Sequence, residues 1–111
     1  MATLDLAEEN KMTLDEILQS IHALEEDLLM FERKYGVRTE TFYQAYQRGE
    51  EPEDDAWVLD WSEWAGTYEI LLELQELYRR TIRDLLQKIG TSRISRLIEY
   101  TVRHEPFTIT E

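Results

Sequence analysis

Residues 55–89 read DAWVLDWSEWAGTYEILLELQELYRRTIRDLLQKI, a run without proline and with one internal glycine. Alternating steps of three and four residues from Trp57 land almost entirely on apolar or aromatic side chains, including all three tryptophans of the chain. That spacing places these side chains on one face of a helix. The stretch therefore predicts a long amphipathic helix around which the remaining elements are arranged.

Residues 13–35 predict a second helix with a well-marked beginning and end. Thr13 and Glu16 have the spacing of a capping box, in which each side chain accepts from the other residue's backbone N–H. Apolar residues then follow the three–four alternation as far as Tyr35, and Gly36 supplies the residue type that ends helices in a left-handed conformation. Two long helices with a short helix and an acidic turn between them predict an antiparallel helical hairpin.

Two short helices complete the predicted all-α fold. Residues 39–48 have aromatic side chains at helical spacing, with Thr39 or Thr41 as the cap. Residues 92–103 follow a cap at Thr91 or Ser92, and four apolar side chains of this helix are expected to face inward. These four are Ile94, Leu97, Ile98 and Val102. The organisation predicted is a flexible N-terminal arm (1–12), a single helical domain (13–104) and an extended, β-prone C-terminal tail (105–111).

Composition excludes several classes of function. The chain of 111 residues has no cysteine, so disulfides and thiolate chemistry are absent. Its longest purely aliphatic run, residues 70–72, is far shorter than the roughly 20 residues that a membrane span needs. The N-terminus lacks the basic and apolar regions of a secretory signal. We therefore expect a cytoplasmic protein that does not interact with membranes.

Charge is distributed unevenly along the chain. Residues 1–78 contain 20 acidic and five basic side chains, whereas residues 79–104 contain seven basic and two acidic ones. An acidic surface of this size attracts basic partners and repels nucleic acid. The alternative is that these acids are solvated helix faces that keep the protein in solution.

Catalytic, cofactor and metal sites are not expected. His22 and His104 are far apart, no serine lies in a glycine-rich elbow, and no phosphate-binding loop is present. Glu69, Glu73 and Glu76 form closely spaced acids on the long helix, as in all-α magnesium-dependent nucleotide pyrophosphohydrolases. Those enzymes use a second acidic motif on a following helix, which this chain lacks. A nucleotide hydrolase remains an alternative to the expected non-enzymatic protein.

Aromatic side chains on the long helix are candidate anchors for a protein partner, because large rigid aromatics dominate interface energetics. The alternative is that they form the core. The predicted partner-binding residues are the aromatics Trp57, Trp61, Trp64 and Tyr68, the acids Glu53, Asp54, Asp55, Asp60 and Glu63, and the tail residues Phe107 and Ile109. The tail is expected to add a strand to the partner's sheet.

Basic residues near the C-terminus give a second hypothesis, a nucleic-acid surface. Its residues are Arg79, Arg80, Arg83, Arg93, Arg96 and Arg103. Pairing of these arginines with the acids of the chain, or with those of a dimer mate, is the favoured alternative. The long helix also extends beyond its predicted partner helix, so its apolar stripe needs cover from the C-terminal segment or from a second copy. We expect a homodimer.

The stretch FERKYGVRTETFYQAYQRGEEPEDDAWVLDWSEWAGTYEILLEL resembles a pattern in small acidic helical prokaryotic proteins, in which Phe-x-x-Lys-Tyr-Gly precedes a Phe-Tyr helix, an acidic turn and an aromatic-rich helix. The matching residues are Phe31, Lys34, Tyr35, Gly36, Phe42, Tyr43, Asp54, Asp55, Glu63, Trp64, Tyr68 and Glu69. The resemblance covers residues 13–78. It implies the antitoxin-type member of a toxin–antitoxin pair, which binds and neutralises a basic toxin such as a ribonuclease.

Overall fold

The computed structural model describes residues 12–103, and they form an all-α structure. Its elements are α1 (Leu14–Tyr35), α2 (Thr39–Gln47), a 3₁₀ turn (Asp55–Trp57), α3 (Val58–Ile89) and α4 (Ile94–Arg103). The predicted all-α class is confirmed, and each predicted helix is present within a few residues of its expected bounds. Most of the predicted N-terminal arm and the whole predicted tail, with Phe107 and Ile109, lie outside the described residues.

Local signals set the ends of α1 as expected. The backbone N–H of Glu16 donates to Thr13 Oγ1 at 3.0 Å, and the N–H of Thr13 donates to Glu16 Oε1 at 3.0 Å. This reciprocal pair is the predicted capping box. Gly36 follows the last residue of α1 with φ +78°, a left-handed conformation that costs glycine little and other residues more.

Helix α2 begins differently from the prediction that Thr39 or Thr41 caps it. Arg38 occupies the N-cap position and no side chain caps the helix. Thr39 is the first helical residue, and its hydroxyl donates instead to Glu32 of α1 at 2.8 Å. The hydroxyl thereby ties α2 to α1 rather than satisfying the backbone of its own helix.

Contacts divide the described chain into two compact units, to which α1 and α3 each contribute. The central unit is His22–Leu72, and the terminal unit consists of described residues 12–21 and 73–103. The prediction of one helical domain over 13–104 stays a prediction. Among residues 12–103, no helix has the length and apolar content that a bilayer crossing requires.

The terminal unit has its own apolar core. Leu14, Leu85 and Leu97 are buried there, and six partly buried side chains pack against them. These six are Leu18, Tyr78, Ile82, Leu86, Ile89 and Tyr100. The core therefore joins the first turns of α1 to the second half of α3 and to α4.

The expectation that all four apolar side chains of α4 face inward is wrong for three of them. Leu97 is buried as predicted, but Ile94, Ile98 and Val102 are 63%, 54% and 72% exposed. At 100° per residue these three side chains form a stripe beside the face that carries Leu97 and Tyr100. The apolar arc of α4 is thus wider than the core that covers it.

Candidate partner-binding surfaces

The central unit is built around the indole of Trp64, which is 1% exposed. The Phe42 ring lies parallel to it with a centroid separation of 3.9 Å. Phe31 and Tyr35 of α1 stack on the same indole at 5.5 and 5.6 Å. Trp64 is therefore a core residue, which corrects its assignment to a surface that contacts a partner. Its position on the inner face of α3 leaves it no solvent-facing side.

A chain of hydrogen bonds satisfies the one polar atom of this indole. Trp64 Nε1 donates to Thr39 Oγ1 at 3.0 Å, and Thr39 Oγ1 donates to Glu32 Oε2 at 2.8 Å. The Thr39 backbone N–H donates to the same carboxylate oxygen at 2.8 Å. Partial burial raises the pKa of Glu32, but the two Thr39 hydrogen bonds and the Arg38 charge together outweigh it and leave this pKa below its ordinary value.

Asp60 is also occupied within the central unit. Lys34 Nζ donates to Asp60 Oδ2 at 2.7 Å, and the Tyr35 hydroxyl donates to the same oxygen at 2.6 Å. These hydrogen bonds, the one from Lys34 first, lower the pKa of Asp60. Asp60 therefore fastens α3 to α1 as well as contributing charge. Asp54 has a local role too, since its Oδ1 accepts from the Ala56 N–H at 2.9 Å and caps the 3₁₀ turn.

The other predicted aromatic anchors differ in exposure. Trp61 is half-buried with its ring edge-on to Phe42 at 5.2 Å. Tyr68 is half-buried against Tyr43 at 4.9 Å. Trp57 is the most exposed of the set, at 38%, and makes only an edge contact with Tyr35 at 5.9 Å. Trp57 is thus the predicted aromatic anchor that the surface presents most openly.

The two most exposed large apolar residues of the central unit were absent from the predicted site. Leu59 is 81% exposed at the start of α3, and Met30 is 68% exposed on α1. Both fall off the apolar stripe of their own helix. One sequence signal could have identified them: each is an aliphatic residue at a position where the helical period predicts a polar one.

Met30 lines an open groove of about 310 Å³. Its lining is Asp27, Met30, Phe31, Lys34, Asp60, Glu63 and Thr67. Glu63 lies four residues after Leu59, so the two share one face of α3. Asp27 and Glu63 are exposed, and neither forms an ion pair or side-chain hydrogen bond within residues 12–103. We refer to Asp27, Met30, Leu59, Asp60 and Glu63 as the acidic face.

The acidic run that leads into α3 adds to this charge. Residues 50–63 contain seven acidic side chains and no lysine or arginine. Glu53 and Asp55 are exposed, and their role in steering a partner by charge stays a prediction. Exposed charges in one run act over about a Debye length, roughly 10 Å at moderate ionic strength. The run therefore adds negative charge next to Asp60 and Glu63 along the chain.

Three of the six arginines of the predicted nucleic-acid surface pair with acids of the chain. Arg79 donates to Glu76 at 2.8 Å, Arg103 donates to Glu99 at 2.9 Å, and Arg83 lies 3.9 Å from Asp84. Arg80 is half-buried, and its Nε has no hydrogen-bond partner within the described chain. Arg93 and Arg96 are exposed, and neither pairs with an acid of residues 12–103.

The three glutamates of the hydrolase alternative are not assembled into a metal site. Glu69 accepts from the Tyr43 hydroxyl at 2.8 Å, and Glu76 accepts from Arg79. No group of three or more metal-binding side chains occurs within the part of the chain that the structure describes. Two of the three carboxylates thus hold neighbouring side chains in place.

Comparison with known proteins adds no relative: no protein-family model, curated protein or solved structure matches this chain.

Proposed function

We propose that this chain is a non-enzymatic interaction protein of the antitoxin type, which binds and neutralises a basic protein such as a toxin ribonuclease. The observation that carries the proposal is the acidic face, where Asp27 and Glu63 have no ion pair or side-chain hydrogen bond within residues 12–103 and where Met30 and Leu59 are exposed. The proposal includes the antiparallel hairpin of α1 and α3, a homodimer and a cytoplasmic location.

The chemistry of this surface suits a partner that offers lysine or arginine beside apolar side chains. Leu59 and Trp57 supply apolar area that is in water in the free chain. Asp27 and Glu63 accept charge-assisted hydrogen bonds from cationic side chains, which are stronger than neutral ones. The remaining acids of residues 50–63 accelerate encounter with a basic protein.

The proposed anchors differ from those that the helical period indicates. Trp57 and Leu59 take the place of Trp64, which is needed for the aromatic core. Trp61 and Tyr68 contribute only the edges left exposed by Phe42 and Tyr43. A partner therefore contacts the first turns of α3 rather than its inner stripe.

The test begins with affinity capture of the tagged full chain from source cells, read by mass spectrometry. We expect one small basic protein in stoichiometric amount, which is then purified and titrated against the chain. Leu59→Ala is expected to weaken this binding by about tenfold, the loss typical of an interface anchor. Leu72→Ala is the matched control, because Leu72 is also an exposed leucine of α3 in the central unit, at 41%.

The partner's own activity decides whether binding neutralises it. We expect the purified basic protein to inhibit growth or cleave RNA when alone, and to lose that activity when the chain is added. A captured protein with no such activity, or equal effects of Leu59→Ala and Leu72→Ala, would contradict the proposal.

A second candidate is an autoregulatory nucleic-acid surface. Arg93 and Arg96 favour it, because both are exposed at the start of α4 and neither pairs with an acid within residues 12–103. Phosphate contacts make affinity fall steeply as salt rises. We expect duplex DNA to bind with such a slope and Arg96→Ala to reduce that slope by about one. An affinity that is flat across salt concentrations would exclude this candidate.

A further inference from the structure

The terminal unit presents an open groove of about 720 Å³ that no part of the described unit fills. The groove is lined by Arg79, Ile82, Arg83, Leu86, Gln87, Gly90, Thr91 and Ser92. Ile82 and Leu86 pack on the core with one side and line the groove with the other. Arg79 and Arg83 are exposed cations of the same lining. The groove therefore combines an apolar floor with a cationic rim.

The same unit exposes the apolar stripe of α4. Ile94, Ile98 and Val102 are spaced by four residues, so they form a row about 12 Å long at the standard helical rise. More than half of each side chain is in water. The groove and this stripe are two exposed surfaces of the terminal unit, and we use the name basic face for both together, that is, for Arg79, Ile82, Arg83 and Leu86 of the groove and for the α4 stripe.

Charge indicates what occupies the basic face. Residues 79–103 contain seven basic and two acidic side chains, whereas residues 50–63 contain seven acidic and no basic ones. Both stretches also expose large apolar side chains, Leu59 in one and Ile98 in the other. Two basic faces brought together would place like charges in contact, which costs free energy. A basic face on an acidic face pairs opposite charges and covers apolar surface on both sides.

We propose that the basic face of one copy binds the acidic face of a second copy. Such a contact joins two different patches, and it forms a closed pair when two copies exchange both contacts. It also gives the expected homodimer a defined interface, with Arg83 and Ile98 on one copy and Glu63 and Leu59 on the other. The inference uses the same acidic face as the proposed function, so a basic partner competes with self-association.

Sedimentation equilibrium of the purified full chain tests the proposal without any other protein. We expect the average mass to rise with concentration between micromolar and about one millimolar, and the dissociation constant to increase as salt is raised to about 0.5 M. A mass equal to that of one chain over this whole range would overturn the proposal. An affinity unaffected by salt would overturn the charge pairing.

Charge reversal identifies the two faces. Arg83→Glu and Glu63→Lys are each expected to weaken self-association by about tenfold or more, while an equimolar mixture of the two variants returns to within about threefold of the original chain. The mixture recovers because each variant keeps one intact face, and the two altered faces again carry opposite charges. Glu40→Lys is the control, as Glu40 is an exposed acid of the central unit outside the acidic face.

Apolar truncation tests the stripe separately. Ile98→Ala is expected to weaken self-association, while Ile70→Ala, at an exposed isoleucine of α3 in the central unit, leaves it unchanged.

Two results of the charge-reversal experiment would overturn the pairing of unlike faces. One is weakening by Arg83→Glu without any effect of Glu63→Lys, and the other is no recovery in the mixture. Because all of these side chains are exposed, circular dichroism should show unchanged helix content in each variant.

Discussion

Thr39 joins the aromatic core of the central unit to a carboxylate. Its hydroxyl accepts from the Trp64 indole and donates to Glu32, and the residue is only 2% exposed. Replacement by valine keeps the shape and removes both hydrogen bonds. A buried donor left without a partner costs about 1–3 kcal/mol, so Thr39→Val is expected to lower the free energy of unfolding by about that amount.

Urea denaturation measures this loss against a control in the same helix. Thr41→Val makes the same chemical change two residues later, where the side chain is exposed, and should change stability by less than about 0.5 kcal/mol. Equal losses in the two variants would show that the hydroxyl of Thr39 has no special role.

Glu32 and Asp60 make stability depend on acid pH. Hydrogen bonds from Thr39 to Glu32, and from Lys34 and Tyr35 to Asp60, lower the pKa of each carboxyl in the folded chain. A lowered folded pKa means that the unfolded chain binds protons first as pH falls. The stabilising contribution is therefore complete above the ordinary pKa range of these carboxyls and is lost as the pH falls through their lowered folded-state pKa values.

Thermal unfolding from pH 7 to pH 3 checks this dependence. We expect the midpoint to fall over the acid range, and the fall to be shallower in Glu32→Gln, which cannot titrate at that position. Glu26→Gln, at an exposed residue of α1, should retain the slope of the original chain. A slope that is identical in all three proteins would contradict the assignment to Glu32.

Replacement of glycine by alanine is expected to have opposite effects at the end of a helix and in its interior, and two glycines of this chain allow the comparison. Gly36 follows α1 with φ +78°, whereas Gly66 lies within α3, and an added Cβ there meets no atom within 4 Å. We expect Gly36→Ala to destabilise the chain by about 1 kcal/mol through backbone strain, and Gly66→Ala to stabilise it by about 0.5–1 kcal/mol. Paired urea titrations would reveal the opposite signs, and a destabilising Gly66→Ala would reveal close packing at that site.

Sequence patterns predict helices better than they predict which face of a helix is covered. The ends of α1 follow from residues three or four positions apart, so Thr13, Glu16 and Gly36 were sufficient to locate them. The apolar stripe of α4 has the same helical period whether other side chains pack on it or it is exposed to solvent. Exposure of Ile98 depends on the width of the neighbouring core, which the local period does not contain.

The candidate site illustrates the same limit. The period placed Trp64 correctly on the apolar face of α3, but a core residue and an interface anchor have the same period. Leu59 was missed because it lies off that face. The contacts that identify Trp64 as a core residue are those with the parallel Phe42 ring and the Thr39 hydroxyl, and both come from α2.

At the scale of the whole molecule, a formal charge of −12 destabilises the folded chain through repulsion. Salt screens this repulsion, so raising sodium chloride from about 0.05 to about 0.5 M should raise the urea midpoint. The double variant Glu50→Gln and Glu51→Gln removes two exposed charges of the acidic run and should reduce the salt response. A midpoint that falls with salt would indicate that the internal ion pairs outweigh the net repulsion.

The placement of the three tryptophans has an optical consequence. All of them lie within residues 57–64, and hence within the central unit. The aromatic residues in the described part of the terminal unit are tyrosines. Indole fluorescence therefore reports on the central unit, whereas the circular dichroism of the peptide bond at 222 nm reports on every helix. The native chain thus carries a built-in spectroscopic label for one of its two units. Separate midpoints in the two signals would give the stability of that unit without any added dye.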